Sequence, residues 1–304
     1  MIVTVEKLTH RYGARTALDS LSFAVTEGTL FGLLGPNGGG KSTLFRILST
    51  MMRPAEGRVT VAGFDARTQP DDVRRQIGVV FQSQSLDKKL TVEENLRGQG
   101  HLHGLSGRVL TARIEDVLGR LRLADRRGDL VETLSGGLKR RVEIAKALLH
   151  RPRVLLMDEP STGLDPGARR ELSDYIAELR GEHGVTVLLT THLLEEADRC
   201  DRLLLLHQGK CVAEGAPAEL KSRVRGDVVV MTAADAAAMG DAVQARFGVT
   251  AHVVDGTLRV EIPNGHGFVA QVMEAFPGAI ESIALHKPTL EDVFLDETGE
   301  VING

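Results

Sequence analysis

Residues 29–48 read TLFGLLGPNGGGKSTLFRIL: an apolar run, four glycines within six positions, then a helix-forming stretch. Few segments constrain a fold as tightly. The chain must end a buried strand, turn sharply on glycine and start a helix whose first N–H groups all face the turn. The loop fits G-x-x-x-x-G-K-[ST] through Gly35, Pro36, Asn37, Gly38, Gly39, Gly40, Lys41 and Ser42, with Thr43 behind. Side chains there would hold the backbone away from phosphate oxygens; glycine lets consecutive N–H donors wrap them. Lys41 adds a point charge for terminal phosphates, and Ser42 Oγ is a hard ligand suited to Mg2+.

The flanking pattern builds this unit into a layered α/β domain. VTVEKL and SFAV precede it as short strands; GRVTVAG follows as an alternating strand and IGVVFQ as a buried one, with the short helix PDDVRRQ between. From Thr91 to His150 apolar residues recur every three to four positions, which predicts a helical insertion. After Pro152 strands VLLMD, TVLLTTH and RLLLLH alternate with helices GARRELSDYIAELRG and LLEEADR, the rhythm of a parallel sheet covered on both faces. Near 223–226 the composition shifts to Ala, Val and Gly. Beyond it the elements run βαββαβ, with a hairpin turn at Asp255-Gly256, a ferredoxin-like order. The expected division is a main domain over 1–223, its helical part about 91–150, and a small α+β domain over 227–304.

Several residues carry candidate chemistry. RVLLMDEP puts Asp158 at the carboxyl end of an apolar strand, where open α/β sheets hold ligands. Asp158 suits a magnesium shell, directly or through water, and Glu159 beside it suits the positioning of an attacking water. The same acidic pair also suits a simple cap on the turn before Pro160. His192, after TVLLTTH, emerges at the same edge and can hydrogen-bond a γ-phosphate oxygen, or serve as an ordinary helix-start residue. Gln82 offers an amide to metal or water, with Gln84 competing for the role.

A second glycine-bearing helix start lies far along the chain, in TLSGGLKRR. Ser135, Gly136 and Gly137 precede a helix expected over 138–150, and their hydroxyl and amides make a second anion cradle. Two cradles need only one nucleotide if each chain's second cradle faces a partner copy's first. The plainer reading is an N-cap followed by flexible glycines.

Composition narrows the classes. A net charge of −4, with both signs interspersed, leaves no electrostatic footprint for nucleic acid and no polybasic block for anionic lipid. RLLLLHQG stops after four leucines, and no run reaches the ~18–20 residues of a membrane span. The N-terminus alternates like a strand and lacks the pattern of a secretory signal, so a cytoplasmic location is expected. Cys200 and Cys211 form no CxxC pair, which suggests neither a metal site nor a disulfide framework.

Taken together, Gly35 to Thr43, Gln82, LSGG, LLMDEP, STGLD and His192 occur in the order and spacing of the ATP-binding cassette proteins, a resemblance covering about residues 1–223. It implies a P-loop NTPase cassette with a RecA-like parallel-sheet core, an antiparallel β subdomain and a helical subdomain. It implies ATP as substrate, with Lys41, Glu159 and His192 catalytic and Ser42, Gln82 and Asp158 serving Mg2+. By the same resemblance Tyr12 stacks on adenine, although a core aromatic in the first hairpin is the alternative. Two copies pair head to tail, so that Ser135, Gly136 and Gly137 reach the nucleotide of the opposite chain and Asp165 lies across the seam.

This sequence departs from the family at Leu138, where many members carry Gln, and at Gly39, where Ala or Ser is common. HKPTLEDVFLDETG and SQSLDKKLTVEENL resemble segments of ATPase subunits of ABC-2 type exporters, similar to the daunorubicin-resistance and sodium-extrusion subfamilies. That implies membrane permease subunits as partners, no nucleic acid, and a place on the cytoplasmic face of the membrane. The alternatives are a soluble cassette ATPase with a non-membrane partner, which usually joins two cassettes or inserts a coiled coil, and an importer subunit.

Overall fold

A computed structural model describes residues 1–224, 226–254 and 256–302. Strands β1 (Val3–Tyr12) and β2 (Arg15–Val25) pair as an antiparallel hairpin. The wholly buried β3 (Leu30–Leu34) runs into the glycine loop and α1 (Lys41–Leu48) follows. β4 (Glu56–Val61) returns to β1 and carries the two-residue β5 (Phe64–Asp65), giving an antiparallel sheet of order β2-β1-β4-β5. α2 (Pro70–Gln76), with Pro70 and two aspartates in its first turn, leads into β6 (Ile77–Val80).

The helical insertion is present as α3 (Val92–Leu102), α4 (Gly107–Arg120) and α5 (Gly136–Leu148). A reciprocal cap starts α3: Glu94 N donates to Thr91 Oγ1 at 3.2 Å and Thr91 N to Glu94 Oε2 at 2.8 Å. α5 corrects the sequence expectation. It begins at Gly136, so both glycines lie inside its first turn, because Ser135 is the N-cap and its Oγ accepts from Leu138 N at 3.3 Å. It also ends at Leu148, short of His150.

β7 (Val154–Asp158), α6 (Pro166–His183), β8 (Thr186–Thr191), α7 (Leu194–Ala197), β9 (Arg202–His207) and β10 (Lys210–Gly215) complete the first unit. The second sheet has the order β10-β9-β3-β8-β7-β6, with β9, β3, β8, β7 and β6 parallel in register. The middles of its inner strands are apolar because neither face meets water, with polar residues such as Thr190, Asp158 and His207 towards the strand ends. One apolar core joins this sheet, the antiparallel sheet and α1, which buries Leu44, Phe45, Ile47 and Leu48. Each such side chain contributes roughly 1.5–3 kcal/mol. That outweighs the cost of about 0.5–1 kcal/mol that each loop glycine carries relative to alanine. The helix is therefore anchored whether or not a ligand fills the loop ahead of it.

The chain divides into a compact unit Met1–Glu214 and a second from Gly215 onward. The division falls before the composition shift near 223, because α8 (Pro217–Lys221) packs with the C-terminal helix of the second unit. That unit contains β11 (Asp227–Ala233), α9 (Ala236–Phe247), β12 (Ala251–Val254), β13 (Thr257–Ile262), α10 (Gly265–Ala275), β14 (Ile280–His286) and α11 (Leu290–Thr298). Its antiparallel sheet runs β12-β13-β11-β14, the ferredoxin-like order, over a core that includes Val229, Met231, Val243, Leu258 and Val272. Of the expected hairpin turn, Asp255 lies outside the described residues and Gly256 has φ +75°. Among the described residues no helix is long and apolar enough to cross a membrane.

Candidate functional site

β3, β7 and β8 end side by side, at Leu34, Asp158 and Thr191, so the loops that follow them open on one edge of the sheet. Gly35 passes too close to β9 for any side chain: a Cβ would lie 2.2 Å from the Leu206 carbonyl oxygen. Gly40, at φ +111°, is the N-cap of α1 and offers no side chain to it, and the first turn of α1 holds no acidic residue. By contrast α3, α5, α6 and α11 all start on capping side chains, from Thr91, Ser135, Asp165 and Thr289. α4 is likewise uncapped and without an acidic first turn; what sets α1 apart is that its free N–H groups and positive dipole end open directly on the glycine loop, an arrangement that suits an anion.

A cavity of about 220 Å³ lies at this helix start, lined by Tyr12, Arg15, Ala17, Pro36, Asn37, Gly38, Gly40, Lys41, Ser42, Thr43, Arg46 and Glu159. Gly35 and Gly39 shape the loop from behind, Gly39 by accepting from Gly209 N at 2.9 Å. Lys41 is buried, and its Nζ donates to the carbonyls of Gly35 at 2.6 Å and Pro36 at 3.1 Å. Burial pushes its pKa down, while the charges of Glu159 and Asp158 oppose that shift. Tyr12 is 45% exposed on the cavity wall rather than part of a core. Arg15, whose Nη2 donates to Gly38 O at 3.2 Å, and Arg46 are cations the motif spacing does not reveal.

Three groups from separate segments, and Thr162 of its own turn, meet at Glu159. Gln82 Nε2 donates to its Oε2 at 3.1 Å and Thr162 Oγ1 at 3.2 Å; His192 Nδ1 lies 3.3 Å from the same oxygen without hydrogen-bond alignment, and Lys41 Nζ lies 3.8 Å from Oε1. The Glu159 backbone sits at φ +44° and is held there by its N–H, shared between Thr190 O at 3.1 Å and Thr190 Oγ1 at 3.0 Å. A turn cap would account for the Thr162 hydroxyl but not for the amide, the imidazole and the ammonium. Gln82, not Gln84, is the glutamine brought to this carboxylate.

Asp158 accepts from Thr190 Oγ1 at 2.6 Å. Burial raises its pKa, and the threonine donor opposes the rise. For a divalent cation the relevant donors are the Ser42 hydroxyl, the Asp158 carboxylate and the side-chain carbonyl of Gln82. All are oxygens, the type Mg2+ prefers, and no group of three or more His, Cys, Asp and Glu suited to a metal occurs among the described residues. A set this sparse fits Mg2+, which keeps several waters and shares substrate phosphates, rather than a fully protein-caged ion.

Ser135, Gly136 and Gly137 do not line the cavity. Ser135 and Gly136 are exposed and Gly137 is half-buried at the start of α5. Asp165 caps α6, its Oδ1 accepting from Ala168 N at 2.9 Å, and a Cβ on Gly137 would come 3.1 Å from Ala168 Cβ. The second cradle and the start of α6 therefore adjoin, away from the first cradle in the same chain.

A glycine loop on a helix start, with an aspartate at the end of a neighbouring parallel strand and a clustered glutamate beside it, defines a P-loop nucleotide hydrolase. The sequence profile of the family described as ABC transporter matches residues 18–162. A daunorubicin resistance ATP-binding protein of Streptomyces coeruleorubidus is 41% identical, over 98% of this chain and 96% of its own. Linearmycin resistance ATP-binding protein of Bacillus subtilis is 34% identical over 99% of both. Among solved structures, the dimeric bacterial ABC transporter cassette MJ0796 superposes with a TM-score of 0.63 at 28% identity, over 70% of this chain and 98% of its own. The chain belongs to the ABC transporter family, as an ATP-hydrolysing subunit of an exporter.

Proposed function

We propose that this ATPase works as a head-to-tail pair, each copy holding ATP and Mg2+ on Gly35–Thr43 and closing the site with Ser135–Gly137 of the other. Tyr12 supplies a ring for the base, and Lys41 the charge for the terminal phosphates. Glu159 holds the attacking water, His192 the γ-phosphate side, and Ser42, Asp158 and Gln82 the metal shell. When bound, Mg2+ neutralises charge on the β- and γ-phosphates. Gln82, whose Nε2 now donates to Glu159 Oε2, would hold the metal shell through its side-chain carbonyl when Mg2+ is bound, leaving the Glu159 carboxylate to orient water. Integral-membrane permease subunits bind near Gln82 and the helical insertion, which places the chain on the cytoplasmic face of the membrane.

The observation that carries this reading is the convergence of Gln82, Thr162, His192 and Lys41 on one carboxylate. It is supported by a second anion cradle that does not line the first cradle's cavity and by the dimeric form of a related cassette. Phosphate release measured across a dilution series tests it. Turnover per chain should rise with protein concentration and stop with EDTA. A per-chain rate independent of concentration, in a preparation shown to be monomeric, would remove the shared site.

We further propose that residues 1–214 are the nucleotide cassette and that the second unit serves assembly. A chain ending at Glu214 should bind ATP within about threefold of the full protein, since every candidate contact precedes that point. Its recovery with the cognate permease should fall. Equilibrium ATP binding and co-purification check the two halves; lost ATP binding by a folded truncated chain would reverse the assignment.

A further inference from the structure

Arg140 and Glu143 sit one turn apart on α5, a spacing that ordinarily marks a solvated pair. Here the side chains are 5% and 3% exposed, and among the described residues no other ion pair is so completely buried on both sides. A buried pair is a poor stability device, because well-packed apolar residues of similar volume usually serve as well. Its other contacts show what it holds. Arg140 Nη1 donates to Glu143 Oε2 at 2.9 Å and to the Phe81 carbonyl at 2.7 Å, while Nη2 donates to the Gln82 carbonyl at 3.3 Å. Glu143 Oε1 accepts from Ser85 N at 2.7 Å, and Lys146 Nζ donates to Ser85 O at 2.8 Å.

The segment 81–85 is irregular, yet its backbone is gripped at three residues by one helix face. Gln82 is thus pinned by its carbonyl to α5 while its amide reaches Glu159. The same helix begins at Ser135–Gly137.

We infer that Arg140 and Glu143 are positioning residues for hydrolysis: they tie the segment 81–85 to the helix bearing the second anion cradle, so that a displacement of that helix is delivered to Gln82 and through it to Glu159. The inference rests on the reading of Glu159 as the group that holds water. Neither residue touches substrate. A guanidinium suits the task because its fixed fork serves two carbonyls and a carboxylate together, which an ammonium does with one head.

The test uses the full chain with ATP and Mg2+. Arg140→Met/Glu143→Leu removes both charges at once and leaves none stranded. We expect a folded protein whose melting temperature falls by a few degrees, because the Phe81 and Gln82 carbonyls and Ser85 N lose their partners on α5, and a KM for ATP within about threefold. We expect kcat to fall on the order of tenfold to a hundredfold, as for a catalytic group displaced by about 1 Å. Amide hydrogen exchange over 81–86 should quicken while α1 stays protected. Combined with Gln82→Ala, the double change should cost little more than Gln82→Ala alone, since both act on one route. If the double variant does not fold, Arg140→Lys gives the same comparison with the charge retained.

Wild-type kcat in a folded variant, or losses that multiply with that of Gln82→Ala, overturn the inference. Glu159→Gln separates the two readings. Full turnover by Glu159→Gln removes the reading of Glu159 and the inference with it. Full turnover by the folded Arg140/Glu143 variant, with Glu159→Gln inactive, removes the inference alone.

Discussion

The Glu159→Gln variant is expected to bind ATP as the parent does and to lose turnover by ~10²–10⁴-fold. The amide keeps the shape of the side chain and can still accept from Gln82 and Thr162, which now donate at 3.1 and 3.2 Å. It loses the negative charge that faces Lys41 and His192 and with it the means to orient and polarise water. Binding without hydrolysis leaves the pair closed. Size-exclusion chromatography with ATP and Mg2+ should therefore show a dimer for this variant and mostly monomer for the parent. A variant that binds ATP yet stays monomeric at every concentration would refute the paired mechanism.

Gly137→Asp should abolish closure. A carboxylate about 4 Å from a phosphate oxygen costs about 4 kcal/mol at an effective dielectric near 20, roughly a thousandfold in the pairing equilibrium. Gly137→Ala is the necessary control, because any Cβ there comes 3.1 Å from Ala168 Cβ and the effect of crowding must be separated from that of charge. ATP binding by the monomer should survive both changes, since Gly137 does not line the cavity. Isothermal titration of dilute protein measures it. A collapse of monomer affinity in Gly137→Asp, with Gly137→Ala intact, would place Ser135–Gly137 within its own chain's site.

The fold and the first cradle were legible because their signals are local. Gly35–Thr43 fixes a strand, a loop and a helix in sequence, and unbroken apolar runs such as VLLMD mark strands buried on both faces. What escaped depends on neighbours. β5 is two residues long, β10 has mixed polarity, and α11 rests on the reciprocal cap of Thr289 and Asp292 within a polar stretch. The start of α5 was misplaced because two glycines argue against helix until Ser135 is seen to cap them. In the site, Thr190 hides inside an apolar strand, and Arg140 and Glu143 have the spacing of a surface pair. The positive φ of Glu159 leaves no trace in a non-glycine residue.

Lys41 already has somewhere to be. Its ammonium is satisfied by the Gly35 and Pro36 carbonyls, so an arriving phosphate does not recruit an idle charge. It competes with an intramolecular ligand for the same cation. Nucleotide binding at this loop is then an exchange reaction, whose free energy is the difference between two sets of hydrogen bonds rather than the whole of one. With Lys41 in the role proposed for it, product release would be the reverse exchange: as ADP and phosphate withdraw, the lysine would return to the Gly35 and Pro36 carbonyls and leave no bare buried charge behind.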